Sequence, residues 1–238
     1  GFGFVSLFCI VLVTCIHLLR QGNIKNPDWI AISLPSAIPF ANAYLISFFL
    51  IFITVFFGGR FISKRRYDES LSSIDIRPFS NIDYTLGKIV GFMIVVLGLD
   101  CMLALIAIFI NILLSDAPFA IFPYVFYFFT LTLPLFVFVL GYSVMVKGVV
   151  KNQAMARFVL LFLSFILVKI VPDYFFGIFD PFATYLPNVF SDVTGFSVLN
   201  IYFIHRLIFF LVGVGMLFLG ILTLNRIWNS DRVRVYTV

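Results

Sequence analysis

The chain has 238 residues, 62% of them apolar and only 11% charged, and it carries a net charge of +5. A water-soluble domain carries about a quarter charged residues and cannot hide so much apolar surface, so this composition excludes a soluble globular fold and makes lipid the solvent. The cations stand beside apolar runs, which assigns them to membrane topology and anionic lipid contact rather than to nucleic acid.

A helix crossing about 30 Å of hydrocarbon needs roughly 20 apolar residues. Taken in chain order, six stretches qualify: residues 2–19, 41–57, 89–114, 122–146, 158–171 and 207–224. The fifth is short unless it begins before Arg157. Nothing alternates like a barrel strand, so the fold class is all-α, a polytopic bundle of six transmembrane helices forming a single domain over residues 1–238. The chain opens on Gly1 directly at an apolar run, so a cytoplasmic segment is expected upstream of it.

Charge in the connections sets the orientation. Arg60, Lys64, Arg65, Arg66, Arg77 and Lys88 lie between the second and third spans, Lys147, Lys151 and Arg157 between the fourth and fifth, and Arg226, Arg232 and Arg234 in the tail. The opposite side holds only Arg20, Lys25, Lys169 and Arg206. Twelve cations against four place both termini in the cytoplasm. The outer connection 172–204 is aromatic, apolar and rich in proline, too greasy for a free loop. It is expected to lie at the interface or re-enter the membrane. Trp29, Tyr174, Tyr185 and Tyr202 are expected at headgroup depth.

Within the spans, Asp100 is the one acidic residue, near the middle of the third. A central Asp costs about 2.5–3.5 kcal/mol on insertion scales, so it must face the bundle interior or an aqueous cavity. A structural hydrogen bond to a nearby hydroxyl or carbonyl competes there with a role in carrying protons or substrate. Lys169 is read as snorkelling to the outer surface. Pro134 is expected to kink the fourth span, and Gly213, Gly215 and Gly220 offer close approach to another helix. Cys9, Cys15 and Cys101 fall in apolar runs without ligand spacing and read as buried structural thiols. His17 and His205 lie toward the outer face and read as interfacial residues, so no metal site is assigned. No Walker A, HExxH, GxSxG or CxxC pattern occurs, which leaves the chain without catalytic residues of its own.

The long cytoplasmic loop 60–88 mixes Asp68, Glu69, Asp75 and Asp83 with its six cations, more acid than a topology signal requires. Ser80 with Asp83 reads as a capping pair opening the helix that runs into the third span, after a break at Arg77-Pro78. The loop resembles that of ABC-2 type permeases. In that family an acidic-Leu-Ser stretch precedes a Pro-Ser turn and a Tyr-x-x-Gly-Lys entry to the third span. Here those positions are Glu69, Leu71 and Ser73, then Pro78 and Ser80, then Tyr84, Gly87 and Lys88. Leu133-Pro134-Leu135-Phe136, Gly141-Tyr142-Ser143, Lys151-Asn152-Gln153-Ala154 and the last span agree with the same pattern, so the resemblance covers most of the chain.

The resemblance implies a dimer of six-span halves, homo- or heteromeric, each resting on a cytoplasmic ABC ATP-binding subunit that holds ATP and magnesium. Arg66, Asp68, Glu69, Leu71 and Ser73 would form the coupling helix seated in that subunit. It further implies an exporter in a cell membrane, of the bacterial inner-membrane kind, with membrane lipids and no nucleic acid as partners. The alternative from a different class is an ion- or proton-coupled secondary transporter using Asp100. An intramembrane enzyme would need at least two convergent side chains, and Asp100 alone is deeply placed.

Overall fold

The computed structural model describes residues 35–58, 81–114, 119–150, 152–174, 179–183, 186, 190–191, 195–196 and 199–235. Expected span 2–19, with His17, and the coupling positions Arg66, Asp68, Glu69, Leu71, Ser73, Pro78 and Ser80 lie outside the described residues. Helix α1 is Ala37–Ile53, continued by a π-helical turn over Thr54–Gly58. Helix α2 is Asn81–Leu114. Helices α3 (Ile121–Tyr127) and α4 (Leu133–Val149) are joined through a π segment, Phe128–Thr132. Helix α5, Gln153–Phe165, continues through a π segment at Ile166–Ile170 into the short α6, Val171–Tyr174. The last helix, α7, is Asn200–Val235. Apart from the two-residue antiparallel pair β1 (Phe190–Ser191) and β2 (Gly195–Phe196), the described elements are all helical.

Among the described residues, four helices are long and apolar enough to cross a membrane: Ala37–Gly58, Thr85–Leu113, Ile121–Val149 and Asn200–Leu224. These match the expected second, third, fourth and sixth spans. The helix at the expected fifth span starts at Gln153, before Arg157, and its apolar part is the shorter Ala154–Val168.

Proline explains two of the three π segments. Pro134 and Pro172 each stand two residues beyond one. A proline withholds the N–H due to the carbonyl four residues earlier, and widening the preceding turn accommodates the mismatch. At Thr130, the residue four before Pro134, the hydroxyl turns back onto the Phe126 carbonyl at 2.8 Å. We have no comparable cause for the turn at Thr54–Gly58.

Packing is layered around α3–α4, the most buried rod, with 78% of its span enclosed against 22% for α2 and α7. One core gathers Ile51, Val55, Tyr127, Leu131, Leu135, Leu160 and Phe182 around it, and a second joins Leu50, Ile53, Phe92, Val96, Phe136 and Leu140. Helix α2 buries one stripe, Thr85, Ile89, Phe92, Val96, Asp100, Leu103, Ala107 and Ile110, at helical spacing. Its other faces expose large apolar residues such as Ile94 (67%) and Leu105 (66%), a surface that suits hydrocarbon rather than water.

The closest helix contact is α4 against α7. A methyl group added at Gly141 would stand 2.3 Å from the Gly213 carbonyl oxygen, and one at Gly213 would stand 2.7 Å from Phe138 Cα. One at Gly220 would meet the Met145 nitrogen at 2.8 Å. Gly213 and Gly220 thus allow the close approach expected of them, with Gly141 and Gly148 as their counterparts, whereas Gly215 faces open space. Cys101 is exposed, not buried as expected, because Asp100 takes the inward position and the next residue is turned about 100° away.

Candidate functional site

Buried polar side chains inside an apolar bundle are costly, so their positions mark where the fold does more than pack. Two groups stand out.

The first closes the end of the bundle where α7 begins. In the connection between α6 and α7, Asp180, Phe182 and Ala183 are buried and Phe182 joins the central core. The turn is built locally. The Asp180 carboxylate accepts the Phe182 N–H at 2.9 Å, the Ala183 N–H reaches the Asp180 carbonyl at 3.2 Å, and Ala183 adopts a left-handed φ of 52°. Arg206, 2% exposed on the second turn of α7, clasps this turn. Both of its Nη atoms donate to the Pro181 carbonyl at 2.7 Å, its guanidinium lies 5.2 Å from the Phe209 ring centre, and the charge of Asp180 acts on it. Nε of Arg206 has no hydrogen-bond partner.

Aromatic rings seal the same end. Phe196 of β2 stacks on Phe126 at 4.0 Å, and Ser36 exchanges hydrogen bonds with the Phe190 backbone at 3.0 and 3.2 Å. Tyr202, expected at headgroup depth, is fully buried within the protein, its hydroxyl paired with Thr130 at 3.0 Å.

The second group runs down the seam between α1, α2 and α3–α4. Asn42 and Asn111 both direct Nδ2 at the Tyr124 hydroxyl, at 3.4 and 2.9 Å, tying three helices together. Turning the Asn42 amide round would place its oxygen on the phenolic proton, so that Tyr124 accepts from one Asn and donates to the other. Lower in the seam, Ser47 donates to Thr132 at 3.2 Å. Asp100 lies eleven residues below Asn111 on α2, roughly 16 Å further along the helix, and is 1% exposed. Its Oδ2 has no hydrogen-bond partner, so the structural hydrogen bond considered for it is not made at that oxygen.

Of the other expected positions, Tyr84, Gly87 and Lys88 fall on the first two turns of α2, at the end of the bundle where α1 finishes. Gly87 meets nothing within 4 Å that would restrict a side chain there. His205 lies against Phe209 with ring centres 4.8 Å apart, and among the described residues no group of three His, Cys, Asp or Glu side chains gathers to hold a metal. Sequence reasoning counted Arg206 only as an outer-side charge and did not single out Asp180, Asn42, Tyr124 or Asn111. The available signal was an arginine two turns into an apolar helix with an Asp-Pro-Phe turn upstream.

No family model, no curated protein and no solved structure matches this chain.

Proposed function

We propose that this chain is the membrane-spanning half of an ATP-driven exporter of the ABC-2 type, working as a dimer of such halves with separate ATP-binding subunits in a cell membrane of the bacterial inner-membrane kind. The observation that carries the reading is a turn in the apolar connection between the fifth and last helices, where Asp180, Phe182 and Ala183 are buried and Arg206 holds the Pro181 carbonyl. A connection of that kind is what the ABC-2 resemblance implies at this place. Support also comes from the Glu69, Leu71, Ser73, Pro78, Ser80 series and from the Tyr84, Gly87, Lys88 entry to α2. On this reading Arg66, Asp68, Glu69, Leu71 and Ser73 seat the loop in the ATPase, and mixed charge suits such docking on a folded surface. The test is to purify the chain with the ATPase that crosslinks to a cysteine at Glu69. Glu69→Lys is expected to leave membrane insertion intact and to reduce both association and stimulated ATP hydrolysis. Full association with full stimulated turnover would remove the assigned role.

One observation favours a second reading, an ion- or proton-coupled transporter. Asp100 is enclosed on the inner stripe of α2 with an unpartnered carboxylate oxygen. Asp100→Asn keeps the size and removes the titratable charge. On the exporter reading the Asn variant accumulates and transports nearly normally. A folded but inactive Asp100→Asn protein would transfer the assignment to the coupled transporter.

A further inference from the structure

At the end of the bundle opposite the aromatic seal, α4 turns sharply into α5. The corner is closed by the Val150 N–H on the Val146 carbonyl at 2.8 Å and by the Asn152 side chain, which caps α5 by accepting from Ala154 N at 2.9 Å. Val146 and Ala156, on the two sides of the corner, are buried in the same core. Each is followed directly by a cation, Lys147 and Arg157, both half-buried. Lys147 stands in the last turn of α4 and Arg157 in the second turn of α5, on the two sides of that corner. Helices α1, α4 and α5 contain no acidic residue. Among the described residues neither cation has an acidic partner, and two like charges that are partly desolvated are costly unless an anion completes them. Because Asn152 already caps the first N–H groups of α5, that anion must be held by the two side chains.

Beside them, α5 presents Phe158, Phe162 and Phe165 outward at helical spacing, all exposed. The rings of Phe158 and Phe162 lie nearly parallel, with an interplanar angle of 6° and centres 6.5 Å apart. A pair of cations at a helix end that continues directly into an exposed phenyl stripe has the two-part chemistry of a phospholipid. We propose that Lys147 and Arg157 bind the phosphate of an anionic phospholipid, with one of its acyl chains laid along Phe158 and Phe162. This site is independent of the exporter reading and requires only that the helices lie in a membrane. Free phosphate shares the headgroup chemistry but not the phenyl stripe.

The experiment is native mass spectrometry of the full chain in an uncharged detergent, titrated with phosphatidylglycerol and, separately, with phosphatidylcholine. The Lys147→Gln, Arg157→Gln double variant is expected to bind phosphatidylglycerol about thirtyfold more weakly, and Arg157→Gln alone about fivefold, at about one kcal/mol per cation near the membrane surface. Phosphatidylcholine binding is expected to be unchanged, as is phosphatidylglycerol binding by the control Arg232→Gln. The Phe158→Ala, Phe162→Ala variant is expected to weaken phosphatidylglycerol binding as well, with its elution from a sizing column unchanged. Two results overturn the proposal. One is undiminished phosphatidylglycerol binding in Arg157→Gln. The other is displacement of the lipid by low millimolar inorganic phosphate with no effect of the phenylalanine changes, which would make the site one for a free anion.

Discussion

Gly141→Ala isolates the contact on which the pairing of α4 with α7 depends. The added methyl would stand 2.3 Å from the Gly213 carbonyl oxygen, where ordinary contact begins at 3.4 Å, so the two backbones must part by about 1 Å. A backbone oxygen has no rotamer by which to yield. Overpacking of this sort costs about 1–3 kcal/mol, against about 1 kcal/mol gained from the better helix propensity of Ala, so the variant is expected to lose up to about 2 kcal/mol. Gly215 faces open space on the same helix as Gly213, so Gly215→Ala keeps only the propensity gain and is expected to be neutral or up to about 1 kcal/mol more stable. Gly148→Ala falls between them. Its methyl meets Thr223 Oγ1, a side-chain atom that can rotate away at the loss of its bond to the Gly220 carbonyl. The assay is reversible unfolding in mixed micelles, titrated with a denaturing detergent and followed by helical circular dichroism. If Gly141→Ala and Gly215→Ala shifted the midpoint equally, the close approach of α4 and α7 would not be what holds them together.

Arg206→Leu leaves the Pro181 carbonyl and the Asp180 carboxylate buried without their cation. It is expected to cost about 3–5 kcal/mol, with the outer turn becoming susceptible to added protease. Arg206→Lys keeps the charge but not the paired donors and is expected to recover only part of that loss, measured in the same two assays. The two-sided arrangement of the charges is checked with single cysteines at Ser72 and Asn188 in a background lacking the native three. They are expected to react with an impermeant reagent from opposite sides of the membrane, and labelling from one side would refute the six-span topology.

Four of the six expected spans were legible because apolar runs and their flanking charges are local properties of the chain. The entry to α2 through Tyr84, Gly87 and Lys88 and the greasy character of the outer connection could be read in the same way. What could not be read were relations between distant residues. Arg206 finds its acceptor in the Pro181 carbonyl, 25 positions away, and a carbonyl leaves no side-chain signature. The glycines of α7 were visible as small residues, but spacing along one helix does not name its partner, which proved to be Gly141 of α4. Asn42, Tyr124 and Asn111 each look like a tolerable polar residue in an apolar run, and only the packing of three helices makes them one cluster. The π segments had a local signal in Pro134 and Pro172, although a kink is the commoner inference from such a proline.

The described contacts differ between the two ends of the bundle. At the end where α7 begins, directional bonds join separate segments: Arg206 to Pro181, Ser36 to Phe190, Tyr202 to Thr130, and Tyr124 to two asparagines. Toward the other end, α4 and α7 meet through glycines and apolar packing, with Gly148 and Gly220 in the contact. Packed apolar surfaces can slide by small steps with most of their burial kept, whereas a buried hydrogen bond is either made or lost. Opening that end therefore concentrates its cost in a few named contacts, and the largest is the arginine clasp, whose rupture leaves charge buried. On the proposed exporter reading, Arg206 and Asp180 are therefore the contacts expected to resist outward release.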